Sequence, residues 1–166
     1  MLTDNVRTLI LTLRIEENAQ QYFNTLRKQH FPPERNILNA HLTLFHKLPD
    51  TPQTKQILSE IDILPFTIDI VGLMNLGNGV AFKVNSAQLI QLHTELRSEF
   101  AGELSLQDQQ GFRPHITIQN KANPEIARAL IQDLEKRFKP FNAKVLGLDV
   151  WYYLDGPWAH KEYFPF

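Results

Sequence analysis

An α+β fold built mainly on antiparallel pairing is predicted by three features of the 166-residue chain. Strand-type and helix-type segments alternate along it. Turn signals at Gly77, Asn78 and Gly79, and again at Asp155, Gly156 and Pro157, imply hairpins. A segment pattern also recurs halfway along the chain. It predicts two β-α-β-β units, related by a pseudo-twofold, with sheets flanked by helices and a central cleft. Residues 1–166 are thus expected to form one bilobal domain.

The elements follow in order. Residues 8–15 (TLILTLRI) alternate and are β-rich, so a strand. Residues 16–31 carry an apolar stripe at Ala19, Phe23 and Leu26, and Pro32 and Pro33 end that helix. Residues 41–48 (HLTLFHKL) form the next strand. Residues 52–64 read as a helix with proline at its start, where the missing N–H costs least, and Pro65 stops it. Strands at 66–73 and 80–84 flank the glycine turn. Ser86 or Asn85 caps a helix over 86–101. The polar run 107–111 (QDQQG) is a loop. Strand 115–121, helix 124–138, strand 141–153 and a last strand near 158–164 complete the chain.

Composition narrows the chemistry. There is no cysteine, which removes disulfides, thiol nucleophiles and thiolate metal sites together. Net charge is −1 with mixed signs, unlike a protein that tracks long duplex nucleic acid on a basic face. A small nucleotide or an RNA terminus is the better-matched partner. The N-terminal MLTDNVRTLILTL is a poor signal peptide, and no apolar run approaches a membrane span. A cytoplasmic, membrane-free monomer is expected.

The chemistry concentrates in two short stretches. AHLTL at 40–44 and RPHITI at 113–118 each contain His-x-Thr-apolar. His41 is followed by a strand, a helix and PFTIDIVGL from Pro65. His115 is followed by a strand, a helix and PFNAKVLGL from Pro140. The separations nearly agree, 24 residues (65 − 41) and 25 (140 − 115). Proline ends each helix and Phe enters each core, so these later residues serve mainly to align the histidines.

Side chains alternate across a strand, so His41 shares a face with Thr43, and His115 with Thr117. Each strand presents an imidazole and a hydroxyl about 7 Å apart at Cα. The first face continues to Phe45 and Lys47. The second continues to Gln119 and Lys121, with Arg113 two residues before His115. Phe45 is the candidate platform for a base or ribose, and Phe112 a candidate rim residue. Lys47, Arg113 and Lys121 are candidates for steering phosphate. Pro114 biases Arg113 toward extended backbone. His46 is placed among leucines on the opposite, core side. That separates it from His41, and no carboxylate completes a ligand set, so neither a metal nor another cofactor is expected. His30, His93 and His160 lack a motif and read as surface or helix-side residues. Trp151, Tyr152, Tyr153 and Trp158 could stack a base, but core packing is the preferred reading.

Hydrolysing a phosphodiester needs a base for water and an acid for the leaving oxygen, on opposite sides of phosphorus. Histidine has the intrinsic pKa for both tasks near neutrality. Hydroxyls can donate to the non-bridging oxygens. One histidine and one threonine from each unit make up such a site.

On these motifs the chain resembles the two-histidine (2H) phosphoesterase superfamily, in its 2′-5′ RNA ligase-like and cyclic phosphodiesterase branch. The resemblance covers nearly the whole chain. It implies metal-independent catalysis by the motif histidines, here His41 and His115, with Thr43 and Thr117 binding phosphate. It also implies hydrolysis of 2′,3′-cyclic phosphates or of 2′-5′ linkages. Many members continue the second motif into Ala-Arg, where this chain has Gln119, Asn120 and Lys121. The ending GPWAHKEYFPF is similar to that of a bacterial group within the superfamily. Two other readings remain open at this point: an RNA-end or nucleotide-binding module with little turnover, and a 2′-5′ RNA ligase.

Overall fold

The computed structural model describes residues 5–166. The first four residues, part of the segment read above as a poor signal peptide, lie outside the described residues. In chain order the elements are β1 (Thr8–Ile15), α1 (Glu17–His30), β2 (Thr43–Pro49), α2 (Pro52–Ser59), β3 (Phe66–Asn75) and β4 (Val80–Asn85). There follow α3 (Ala87–Glu99), β5 (His115–Gln119), α4 (Pro124–Arg137), β6 (Phe141–Tyr153) and β7 (Trp158–Pro165). One 3-10 turn, Pro33–Arg35, precedes β2.

All pairings are antiparallel, and the sheet runs β2-β1-β6-β3-β4-β5, with β7 also on β6. This order is the same read from either end once β2 is exchanged with β5, β1 with β4 and β6 with β3. The two Pro-Phe…Gly-Leu segments explain why. They lie 75 residues apart (140 − 65), on β3 and β6, which pair with each other. Ile68 faces Ala143, its own counterpart at that spacing, so the pseudo-twofold passes through this pair. The two motif strands, β2 and β5, therefore form opposite ends of the path.

The helix boundaries follow local chemistry. Thr51, Ser86 and Asn123 accept the N–H of Thr54, Leu89 and Glu125, and proline opens both α2 and α4. Helix α2 stops at Ser59, short of the expected residue 64. Gly77, at φ 87, turns β3 into β4. The core joins one face of the sheet to the helices. Leu9, Leu11 and Leu13 of β1, Ile68 and Ile70 of β3, and Phe82 of β4 are all nearly inaccessible. At Gly147 any side chain would collide with the Phe164 carbonyl, which is why the repeated glycine is needed in this copy.

Register shifts interrupt β1/β2, β1/β6, β3/β4, β4/β5 and β6/β7. Bulges add twist, and α1, from the first half, packs on β5 of the second. That contact brings the two ends of the path toward each other.

The bulges also correct the strand reading. Strict alternation put Phe45 beside His41. In the structure Phe45 is 0% exposed and packs on His93 and Phe100, while His46, expected among leucines, points outward. The register explains this. Thr12 faces Thr43, Leu11 faces Phe45 and Leu9 faces Leu48, so β2 spends an extra residue at each of the two steps. The carboxylate of Asp108 holds the bulge, accepting the N–H groups of His46 and Lys47, each at 2.9 Å, and meeting His46 Nδ1 at 2.9 Å. Phe45 is therefore a core residue and no platform. Lys47 is exposed, but the same bulge breaks the alternation that had aligned it with His41. Strand β5 ends at Gln119, and Lys121 stands beyond it with φ 58, so it does not extend the motif face. His93, read as a surface or helix-side residue, is 4% exposed, its ring sandwiched between Phe45 (4.7 Å) and Phe112 (3.9 Å).

Candidate functional site

The alternation does hold across the first motif. Ala40, Leu42 and Leu44 are buried, and His41 and Thr43 are half-buried on the other face. The second motif repeats it, with Ile116 and Ile118 in the core and His115 and Thr117 half-buried opposite. Thr43 lies opposite Thr12 of β1. His115 and Thr117 lie opposite Lys83 and Ala81 of β4.

Both histidines are held in the same way. The Nδ1 of His41 hydrogen-bonds the Asn39 carbonyl at 2.8 Å, and that of His115 the Arg113 carbonyl at 2.7 Å. A carbonyl only accepts, so each Nδ1 carries the proton. Each neutral ring therefore keeps an Nε2 lone pair for proton transfer. Arg113 thus acts through its main chain, while its side chain is exposed.

His41 lies deep enough that desolvation lowers its pKa to about 4. The Asn39 carbonyl opposes that shift, and the charges of Arg27, His46 and His115 reinforce it. Because the folded-state pKa lies below the ordinary value, the unfolded chain binds more protons between the two. His41 then contributes stability that is complete above about pH 6.5 and is lost as pH falls toward 4. Long-range ¹H–¹⁵N spectra should show His41 titrating near pH 4 with the Nδ1–H tautomer above it. A His41 titration at the ordinary value would refute the burial argument.

Trp158 of β7 lies with its ring 4.6 Å from that of His41. The two line a pocket of about 510 Å³ with Thr12, Arg14, Asn39 and Trp151. Trp151 Nε1 donates to Thr12 Oγ1 at 2.9 Å. Asp149, almost wholly buried, takes Arg14 bidentately at 2.7 and 3.0 Å and His160 Nε2 at 2.8 Å. Arg14 in turn stacks on Tyr163, 3.6 Å from the ring centre. His160, expected at the surface without a role, is a member of this cluster. Beside the other histidine, a hollow of about 880 Å³ is lined by Met74, Lys83, Ile90, Phe112, Arg113 and Pro114. Lys83 is the strand partner of His115, so the hollow adjoins the second motif.

The structure thus presents His41 with Thr43, and His115 with Thr117, on the half-buried face of each motif, with Phe112 and Arg113 lining the hollow beside the second. It leaves Phe45 in the core and Lys47 and Lys121 off the motif faces. Arg14 and Asp149 were not singled out as site residues in the sequence, and Trp158 was named as able to stack a base with core packing preferred. Trp158 carried one usable signal, an aromatic just after the Asp155–Pro157 turn. Among the described residues, no three His, Asp or Glu side chains group as a metal site, and no helix is long and apolar enough to cross a membrane.

Residues 15–157 match the family model of the 2′-5′ RNA ligase superfamily. No curated protein sequence matches the chain. Among solved structures, the chain is similar to E. coli LigT complexed with 3′-AMP, at 20% identity over 97% of this chain and 98% of that one, with a TM-score of 0.64. The same protein complexed with ATP aligns at 19% identity, with the same coverage and TM-score. TT0787 of Thermus thermophilus aligns at 18% identity over 95% of this chain and 97% of that one, with a TM-score of 0.66. At these identities the likeness shows a shared fold.

Proposed function

Because the chain belongs to the 2′-5′ RNA ligase superfamily, among the 2H phosphoesterases, we propose that it hydrolyses 2′,3′-cyclic phosphate or 2′-5′ phosphodiester bonds of nucleotides or RNA ends. The reading rests above all on the matched pair of imidazoles. Each is locked by Nδ1 to the carbonyl two residues upstream, and each keeps Nε2 free.

In the proposed reaction phosphorus sits between the two Nε2 atoms. One histidine takes a proton from water as its oxygen attacks phosphorus. The other gives a proton to the departing ribose oxygen as its P–O bond breaks, so one water is added across the bond. Thr43 and Thr117 donate to the non-bridging oxygens. A bound phosphate anion raises the proton affinity of His41 and offsets the effect of burial, so the site can hold the protonated ring that an acid requires. The pocket between His41, Trp151 and Trp158 would take the nucleoside. E. coli LigT, of the same fold, is complexed with 3′-AMP and with ATP. A small nucleotide or RNA terminus is therefore the substrate class we propose.

Turnover of 2′,3′-cyclic nucleotides in excess EDTA tests the proposal. Hydrolysis unaffected by the chelator is the expected result, with a bell-shaped pH profile. Binding of the cyclic nucleotide without turnover would leave a nucleotide-binding module instead. Activity seen only with paired RNA ends would point to ligation.

A further inference from the structure

Arg27 belongs to α1, yet its guanidinium reaches the second motif. Nη1 donates to the Thr117 carbonyl at 2.9 Å, and Nε to Asn36 Oδ1 at 3.0 Å. The guanidinium carbon stands 4.1 Å from the centre of the Phe31 ring. The residue is only 5% exposed. Among the described residues, none of the ion pairs includes Arg27, so no carboxylate balances it. Burial lowers its pKa to about 10, so it remains a cation at neutral pH. An unpaired charge at this depth is costly to keep.

The same face of α1 holds the first motif. Gln20, Asn24 and Arg27 follow helical spacing. Gln20 Nε2 donates to the Ala40 carbonyl at 2.7 Å and to Asn24 Oδ1 at 2.9 Å. Asn24 Oδ1 also accepts the Ala40 N–H at 2.9 Å. Ala40 immediately precedes His41. One polar stripe therefore fixes the approach to His41 and, through Arg27, the strand that carries Thr117 and His115.

We propose that Arg27 is a positioning residue for this site, tying the two motif strands together and supplying a buried positive charge whose counter-anion is the phosphate of the substrate. The inference rests on the phosphoesterase reading for its choice of anion. Its geometry stands independently of that reading. The charged and titratable groups facing His41 are Arg27 from α1, His46 from β2 and His115 from β5. All three disfavour its protonation.

Arg27→Met and Arg27→Lys in the full chain separate charge from geometry. Three quantities are read: affinity for inorganic phosphate, the His41 titration by NMR, and kcat with KM for a 2′,3′-cyclic nucleotide. Arg27→Met should weaken phosphate binding roughly tenfold, about 1.4 kcal/mol. It should also move the His41 titration to higher pH and lower kcat on the order of 10²-fold through misplacement. Arg27→Lys should keep the titration and the phosphate affinity near wild type, yet still lose kcat, because an ammonium cannot reproduce the fork to Thr117 and Asn36. A folded Met variant with unchanged phosphate affinity and unchanged His41 titration would reduce Arg27 to a scaffold residue. Should the Met variant fail to fold, the Lys variant decides: wild-type kcat, or a shifted His41 titration, overturns the proposal. If the wild type hydrolyses no cyclic nucleotide, phosphate affinity and the titration still test Arg27 apart from the activity.

Discussion

Replacing either motif histidine by alanine is expected to lower kcat for 2′,3′-cyclic nucleotides by roughly 10²–10⁴-fold, with KM changed far less. The reason is geometric. Each ring is fixed by a single Nδ1 bond to a main-chain carbonyl, so its only free function is proton transfer at Nε2. The double variant should lose little more than the worse single one, since an acid without its base no longer completes an in-line displacement. Thr43→Val and Thr117→Val keep the strand shape but remove the donors, and each should cost roughly 10²-fold in kcat. Stability should report the burial of His41. The pH-dependent loss between about 6.5 and 4 should shrink in His41→Ala, and what remains should come from His30 and His93, whose rings burial also shifts down. Alanine variants of both histidines that retained turnover would remove these residues from the reaction.

Much of this site was legible because strand chemistry is periodic. Pro-Phe…Gly-Leu marks where β3 and β6 meet, and the duplicated spacing makes His41 and His115 counterparts at the two ends of a symmetric sheet. Their shared faces with Thr43 and Thr117 follow from alternation alone. The misplaced strand residues lie where alternation stops. Phe45 and Lys47 sit on a bulge whose cause, Asp108, is about sixty residues away in a polar loop, and no local pattern joins the two. Lys121 lies past a strand end set by left-handed backbone. His93 is buried because two aromatic rings from different motifs close over it, a long-range fact with no helical signature. Arg27 carried no signal in the sequence, because its target is a carbonyl 90 residues distant.

Loss of Asp108 should be the most damaging single change outside the core. Its carboxylate accepts from two adjacent main-chain N–H groups and from His46, and it is nearly inaccessible. Asp108→Ala leaves those donors unpaired on a bulged strand and should cost about 3–5 kcal/mol. That corresponds to a fall in Tm of roughly 10 °C for a domain of this size. Asp108→Asn keeps one oxygen acceptor and should cost about half as much. Burial alone would raise the Asp108 pKa. The His46 side chain and the N–H groups of His46 and Lys47 outweigh it and hold the carboxyl below its ordinary value. The carboxylate therefore contributes stability that is complete above about pH 4 and is lost as pH falls through the depressed folded value. Urea denaturation of wild type and Asp108→Asn should accordingly give curves far apart at neutral pH that converge in acid. A gap that persisted undiminished to the lowest pH would mean that shape, not charge, holds the bulge. Because this bulge lies on the motif strand just past Phe45, the same variant should lose kcat even at temperatures where it is folded. That coupling makes the Asp108 loop a part of the first motif's architecture, through its hold on the His46 and Lys47 N–H groups.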